Sequence, residues 1–165
     1  MLPLVIAPDP ILRKVTEQVS LPLSAEVQAL AKQMFPAMKH YDGIGLAAPQ
    51  VGRSLQLMVV NTPLEPTAYV NPVILKRSWK KVAMEEGCLS IPGVFGIVKR
   101  PQKILARYVT LGGQTREEWL DGLMARVYQH EVDHLNGVLF IDKTKEITQG
   151  SELLAKYTQN EKIKM

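Results

Sequence analysis

Five residues, His130-Glu131-Val132-Asp133-His134, set the strictest limit on how this chain can fold. Residues four apart on an α-helix lie on the same face, so the two imidazoles can converge on one metal ion when the segment is helical. With about 100° of rotation per residue, Glu131 flanks that face, within reach of a water molecule activated by the ion. The pattern therefore predicts a helix that carries a catalytic metal site.

Two helices are indicated by their end signals. Around the metal segment, Asp121 is placed as the N-cap residue and Asn136-Gly137 is a C-terminal stop signal. An earlier helix is predicted over residues 24–41, capped by Ser24 and kinked at Pro36, which lacks a backbone donor. Its apolar residues recur at helical spacing: Val27, Leu30, Ala31, Met34, Phe35 and Met38.

The middle of the chain has short segments with strand character, each bounded by Pro, Gly or polar residues. These predicted strands cover residues 55–61, 68–70, 73–75, 96–99 and 104–111. Gly112-Gly113 predicts a hairpin turn, and residues 148–162 predict a terminal helix. Helices at both ends with strands between them predict an α+β fold in one domain over residues 1–165.

Composition narrows the class of protein. The formal net charge of +4 permits weak attraction to an anionic partner, but the chain lacks the basic tracts of a dedicated nucleic-acid binder. Its only cysteine excludes an intramolecular disulfide and favours a reducing compartment. No apolar run reaches the roughly 20 residues of a membrane span, and a proline-broken N-terminus is not a signal peptide. We therefore expect a cytoplasmic protein without a membrane or specific nucleic-acid partner.

Two histidines do not complete a catalytic metal site, because a zinc-like ion usually takes three protein ligands and keeps one position open. The candidates for the third ligand are His40, Cys88, Glu146 and Glu152. A lone cysteine is more often a small buried apolar residue than a ligand. From the residues alone, the third ligand stays open.

A third segment, residues 43–52, is rich in small residues and carries Gln50. Small residues allow backbone to approach a ligand closely, and Gln50 supplies an amide donor. The alternative is an ordinary turn between a helix and a strand.

The three segments together resemble the peptide deformylase family. Its first motif is similar to Gly43-Ile44-Gly45-Leu46-Ala47-Ala48-Pro49-Gln50, its second to Glu86-Gly87-Cys88-Leu89-Ser90, and its third to Gln129-His130-Glu131-Val132-Asp133-His134-Leu135-Asn136-Gly137. The motifs follow the family's order and approximate spacing. The resemblance runs from about residue 6 to residue 142.

The resemblance implies antiparallel sheets packed around a central metal-binding helix, with N-terminal and C-terminal helices. It implies removal of the N-formyl group from the formyl-methionine of newly made polypeptides, with release of formate. The implied ion is Fe²⁺, with Zn²⁺ or Ni²⁺ found in its place, and the implied ligands are Cys88, His130 and His134. A monomer is expected, and the resemblance also allows association with the ribosome.

Further roles follow from the same resemblance. Glu131 would move protons, while the Gln50 amide and the Leu89 backbone N–H would stabilise the oxyanion. The expected substrate contacts are Ile44, Gly45, Glu86, Leu123 and Val127. Leu123 and Val127 also share the helix face of His130, although both are equally well explained as core.

Four charged residues near these motifs are expected to have structural positions. Glu86 and Arg100 are expected to pair and brace the cysteine loop, again by resemblance. Arg126 is expected at the rim of the site, and Asp133 is interpreted as structural.

Two other functions stay open from the sequence. One is a metallopeptidase that uses Glu152 as its third ligand, about 18 residues after His134. The other is a non-catalytic relative that only binds peptide N-termini, which the presence of Glu131 and Gln50 disfavours.

Overall fold

The computed structural model describes residues 1–158, which contain three α-helices. They are α1 (Ala25–His40), α2 (Gly122–Leu135) and α3 (Leu154–Thr158). Short 3-10 helices cover Pro10–Arg13, Ala48–Val51, Phe140–Asp142 and Ser151–Leu153. Over these 158 residues, no helix combines the length and the apolar character that crossing a bilayer requires.

The described chain also forms eight strands in two antiparallel sheets. In chain order they are β1 (Gly45–Ala47), β2 (Leu57–Asn61), β3 (Pro66–Arg77), β4 (Lys81–Cys88), β5 (Ile91–Pro101), β6 (Lys103–Val109), β7 (Thr115–Asp121) and β8 (Glu146–Gln149). One sheet has the order β1-β2-β3-β6-β7, and the other has the order β4-β5-β8. The predicted α+β fold with antiparallel sheets is confirmed.

Helix α2 contacts both sheets. On one side, Val127 and Tyr128 pack into an apolar cluster with residues of β2, β3 and β6. On another side, Arg126 donates hydrogen bonds to backbone carbonyls of β4 and β5. The helix with the His-Glu-x-x-His segment is therefore central, as the family resemblance implied.

The first helix begins where its cap signal predicts. The Ser24 hydroxyl accepts a hydrogen bond from the Val27 N–H, and the buried face of α1 packs against β1, β2 and β3. The helix continues through Pro36, which is exposed. A proline on the solvent side leaves the packed face of the helix intact.

One predicted break is absent, because β3 is a single strand where two were predicted. The register between β3 and β6 is irregular from Val70 to Val73, and Asn71 has a positive φ of 49°. The Asn71 side chain accepts from the Val19 N–H and donates to the Val19 carbonyl, so it replaces local ladder bonds. The Asn-Pro pair therefore makes an irregularity within the strand and does not end it.

The strands that the sequence did not predict all lie at sheet edges: β1, β4, β7 and β8. An edge strand packs against few neighbours, so its residues show little of the apolar alternation that identifies a strand. Strand β7, for example, is exposed at six of its seven positions.

The predicted terminal helix over residues 148–162 is wrong at its start. Thr148 and Gln149 belong to β8, and a 3-10 turn precedes α3. Pairing of β8 with β5 accounts for the difference, because long-range pairing overrides local helix preference. The part of the prediction after residue 158 lies outside the described residues.

Three tyrosines pack edge to face inside the protein. The Tyr69 ring centroid lies 4.5 Å from that of Tyr108 and 5.3 Å from that of Tyr128. Burial, with a smaller contribution from Glu118, raises the pKa of Tyr69 to about 12. Burial also raises the pKa of the other two hydroxyls.

These pKa shifts predict that the protein loses stability in alkali. An unfolded tyrosine ionises near pH 10, whereas folded Tyr69 stays protonated to about pH 12. The folded state binds more protons in that window, so this stabilisation is complete below pH 10 and disappears towards pH 12. Tyr69 accounts for up to about 2 to 3 kcal/mol of the loss. Urea unfolding from pH 8 to pH 12 should therefore show a shallower decline for Tyr69→Phe; equal declines would contradict the prediction.

Candidate metal centre

Helix α2 presents His130 and His134 one turn apart, with their ring centroids separated by 5.0 Å. His134 is buried, and His130 is half-buried with the Phe140 ring stacked beside it. The helical spacing predicted from the sequence therefore brings both imidazoles to one location.

Cys88 reaches the same location from the three-stranded sheet. Cys88 is the last residue of β4, and its Sγ lies 3.2 Å from Nε2 of His134. Ligand atoms of Cys88, His130 and His134 all lie within 4.8 Å of one another. Within residues 1–158, the other candidates for the third ligand, His40, Glu146 and Glu152, are exposed and outside this group.

The donor set fits a divalent transition metal. One thiolate and two imidazoles suit Zn²⁺ and comparable first-row ions, and three protein ligands leave a position for a reacting molecule. His134 Nδ1 is buried and, among the described residues, has no hydrogen-bond partner in the protein. Burial also holds the pKa of His134 well below its usual value, which favours the neutral form that binds metals.

His130 lies in a more negative environment. Burial alone would lower its pKa, but hydrogen bonds with Cys88 and Glu86 outweigh burial and raise the pKa to about 10. A nearby cation would relieve the same concentration of negative charge, and the ring would then bind it as a neutral imidazole.

Glu131 lies beside the two histidines and is 4% exposed. Its Oε2 has no hydrogen-bond partner within the described part of the chain, and burial raises the pKa of its carboxyl to about 7. Gly45 makes room for it: a Cβ there would lie 2.8 Å from Cγ and Cδ of Glu131 and still closer to Oε1. The carboxylate is therefore available for proton transfer in a space that Gly45 keeps open.

The small-residue segment places Gln50 against the cysteine. Gln50 Oε1 accepts a hydrogen bond from the Ala47 N–H, which fixes which end of the amide faces the site. Its Nε2 then donates to Ser90 Oγ at 3.2 Å and lies 3.6 Å from Cys88 Sγ. Leu89 follows Cys88 in the turn before β5.

Glu86 is the centre of a buried charge cluster. Its Oε1 accepts from Arg100 Nε at 2.5 Å and from Arg126 Nη1 at 2.6 Å. Its Oε2 accepts from Arg100 Nη2 at 2.9 Å and lies 3.0 Å from Nδ1 of His130. The predicted Glu86–Arg100 pair is present, but both carboxylate oxygens are occupied, which does not agree with Glu86 as a substrate contact.

Opposite charge keeps Glu86 ionised inside the protein. Burial favours its neutral form, but hydrogen bonds from His130 and Arg100 outweigh burial and hold the pKa of its carboxyl well below its usual range. The cluster continues to the surface through Arg100 Nη1, which donates to Asp133, and Lys143, which also donates to Asp133. Asp133 therefore has the structural position expected of it.

The expectation that Arg126 lies at the rim is wrong, because its side chain is 7% exposed and bonded to Glu86. A signal was available in the sequence: Arg126 lies four residues before His130 and so shares its helix face. What the sequence did not reveal was its acidic partner, Glu86, on strand β4.

The residues expected to receive the substrate side chain differ in exposure. Ile44 is 46% exposed and Leu123 is 49% exposed, whereas Val127 is buried in the apolar cluster beside β2 and β6. Val127 is therefore part of the core, and a substrate contact would be an additional role.

Comparison with known proteins identifies a family. The sequence model described as Polypeptide deformylase matches residues 1–150. A peptide deformylase from Rhodopseudomonas palustris is 42% identical over 151 residues, which cover 87% of this chain and 86% of that protein.

Solved structures agree with the sequence match. A peptide deformylase from Thermotoga maritima superposes with a TM-score of 0.85 and 41% identity, covering 88% of this chain and 98% of that one. A Met-Ala-Ser-bound class I type b peptide deformylase from Acinetobacter baumannii has a TM-score of 0.81 and 36% identity, covering 87% of this chain and 98% of that one.

The tight contact at Gly45 predicts the effect of one methyl group. Gly45→Ala should displace the Glu131 carboxylate or destabilise the fold by about 1 to 3 kcal/mol, because the added Cβ overlaps Glu131. Gly112→Ala is the matched control, since a Cβ there has only Thr110 Oγ1 nearby, at 3.6 Å. Denaturant unfolding and a crystal structure of each variant would test this; an undisturbed Glu131 at full stability in Gly45→Ala would contradict it.

The Glu86 cluster predicts a large loss of stability when its central carboxylate is removed. Glu86→Gln leaves buried Arg100 and Arg126 without their main counter-charge, so we expect a loss of about 3 to 5 kcal/mol. Glu117→Gln breaks the half-exposed pair with Arg107 and should cost about 1 kcal/mol or less. Equal losses in denaturant unfolding would show that burial of the cluster is energetically unimportant.

Proposed function

The chain belongs to the peptide deformylase family, and on this basis we propose that Cys88, His130 and His134 bind one divalent metal ion. The protein is a hydrolase that removes the N-formyl group from the N-terminal formyl-methionine of newly made polypeptides. The observation that carries the site assignment is the 3.2 Å distance between Cys88 Sγ and His134 Nε2. Residues 46 positions apart in sequence reach that distance only because the fold directs both side chains to one point.

When bound, the ion supplies Lewis-acid chemistry: it lowers the pKa of water at the site and polarises the formyl carbonyl. We propose Fe²⁺ as the ion in the cell, with Zn²⁺ or Ni²⁺ able to replace it. The ion typical of the peptide deformylase family supports Fe²⁺, whereas the sulfur and imidazole donors alone suit several first-row ions.

Glu131 is proposed as the proton carrier. Its carboxylate takes a proton from the attacking water as the new C–O bond forms, and it gives that proton to the amine nitrogen as the C–N bond breaks. The products are formate and a free amine. The burial of Glu131 and its unpartnered Oε2 support this role, since that oxygen is not committed to another group.

The Gln50 side-chain amide and the Leu89 backbone N–H are proposed to donate to the oxyanion of the transition state. The bond from the Ala47 N–H supports the role of Gln50, because it turns the donor end of the amide towards Cys88. Loss of one such donor typically costs about 2.7 to 4 kcal/mol of transition-state stabilisation.

The methionine side chain of the substrate is proposed to lie near Ile44, Gly45, Leu123 and Val127. The exposed apolar side chains of Ile44 and Leu123 support this. The Acinetobacter baumannii structure, bound to Met-Ala-Ser, supports a peptide that begins with methionine as the ligand class.

We further propose that residues 1–165 form one catalytic domain that works as a cytoplasmic monomer, in contact with nascent chains at the ribosome. The family match over residues 1–150 supports a single domain. The net charge of +4 is compatible with weak attraction to the ribosome, without a specific nucleic-acid site.

Formate release from formyl-Met-Ala-Ser under anaerobic conditions, measured together with metal content, tests the site. Glu131→Gln should keep one ion per chain and lose about 10² to 10⁴-fold in kcat, because only the proton carrier is removed. Cys88→Ala should lose the ion. Glu117→Gln, a change away from the site, should leave both readings as in the wild type.

A different experimental result would contradict each proposed role. Turnover of Glu131→Gln close to that of the wild type would contradict proton transfer by this residue. Full metal content in Cys88→Ala would contradict the proposed ligand set. Peptide binding without turnover by the metal-loaded wild type would favour the non-catalytic alternative.

A further inference from the structure

The Arg126 guanidinium makes three hydrogen bonds that join α2 to the sheet carrying Cys88. Its Nη1 donates to Glu86 Oε1 at 2.6 Å and to the Val98 carbonyl at 3.0 Å. Its Nη2 donates to the Val82 carbonyl at 2.6 Å. Since Val82 and Glu86 are on β4 and Val98 is on β5, one side chain connects the helix to two adjacent strands.

This connection lies between the two sources of metal ligands. Arg126 precedes His130 by one helical turn, and Val82 lies on the strand that ends at Cys88. A buried guanidinium is costly unless its donors are bonded. Sliding the helix along the sheet would break these bonds, so Arg126 resists a change in the distance between sulfur and imidazoles.

Arg126, together with Arg100, also holds the Glu86 carboxylate in its orientation. It shares Oε1 with Arg100 Nε, so two guanidinium groups hold that oxygen. The other oxygen, Oε2, accepts from Arg100 Nη2 at 2.9 Å and faces Nδ1 of His130 at 3.0 Å. With Nδ1–H donating to Glu86, Nε2 is the nitrogen left for a metal ion.

We propose that Arg126 is a positioning residue of the metal centre, which sets both the orientation of His130 and the separation of Cys88 from α2. This inference rests on the metal site proposed above and deepens it. Charge alone would be satisfied by lysine at position 126. Bonding Glu86 and two strand carbonyls from one planar group requires the fork of an arginine.

Metal affinity and geometry in the whole protein test this role. Zn²⁺ affinity is measured by competition with a chromophoric chelator, and the absorption of the Co²⁺-loaded protein reports sulfur ligation and coordination geometry. Arg126→Met should bind Zn²⁺ about 10 to 100-fold more weakly and show a shifted Co²⁺ spectrum, as is typical when a partner of a metal ligand is removed. Arg126→Lys, which keeps the charge but not the fork, should be weakened by about tenfold.

Tyr128→Phe is the matched control. Tyr128 lies on the same helix, but its hydroxyl contacts carbonyls of Val73 and Arg107 on the other sheet. This variant loosens α2 without touching Glu86, so its Zn²⁺ affinity and Co²⁺ spectrum should match those of the wild type. A merely structural role for Arg126 would make it behave like this control.

Arg126→Lys with wild-type affinity and spectrum would overturn the proposal, and this variant decides the matter if Arg126→Met does not fold. Weakening of Tyr128→Phe equal to that of Arg126→Lys would overturn it as well. Failure of the wild type to bind Zn²⁺, or a Co²⁺ spectrum without sulfur ligation, would instead overturn the metal site itself.

Discussion

The ionised carboxylate of Glu86, held between Arg100, Arg126 and His130, is the interaction on which the rest of this structure depends. It lies where α2 meets the three-stranded sheet, and its partners come from β5 and α2. Charges are buried there only because each is bonded to an opposite charge or to a carbonyl. The consequence is a fixed geometry: the strand that ends in Cys88 and the helix that carries both histidines are held in one register, and an imidazole is oriented at the same time.

Apolar packing supports this cluster without defining the site. One core joins α1 to β1, β2 and β3, a second joins α2 to the other face of that sheet, and a third surrounds β5 and Phe140. Burial of apolar side chains in these cores holds α2 against the sheets, but the hydrophobic effect is non-directional and does not orient individual polar side chains. The directional part comes from hydrogen bonds. Gln50 is turned by the Ala47 N–H, and Gly45 leaves the space that Glu131 occupies.

The fold was predictable where side chains repeat with a clear period. Helix α1 begins after Ser24 and α2 ends at Leu135 with Asn136 as its C-cap, as their sequence signals indicate. The edge strands β1, β4, β7 and β8 were not predictable, since pairing along one side gives their residues little periodic burial. The break expected at Asn71-Pro72 is absent for a related reason: the Asn71 side chain bonds Val19, more than 50 residues earlier in the chain, and no local pattern contains that partner.

At the site, the sequence by itself determined the pair of imidazoles and the flanking carboxylate, because helical spacing is a local property that fixes which residues share a face. It also gave Cys88 as a candidate ligand, and family motifs were needed to choose it over His40, Glu146 and Glu152. Only the tertiary structure decided that Arg126 is buried and that Glu86 faces inwards to three basic groups. The physical reason is that a charge is stable inside a protein only beside its counter-charge, and here those partners come from one sheet and one helix that meet only in the folded chain.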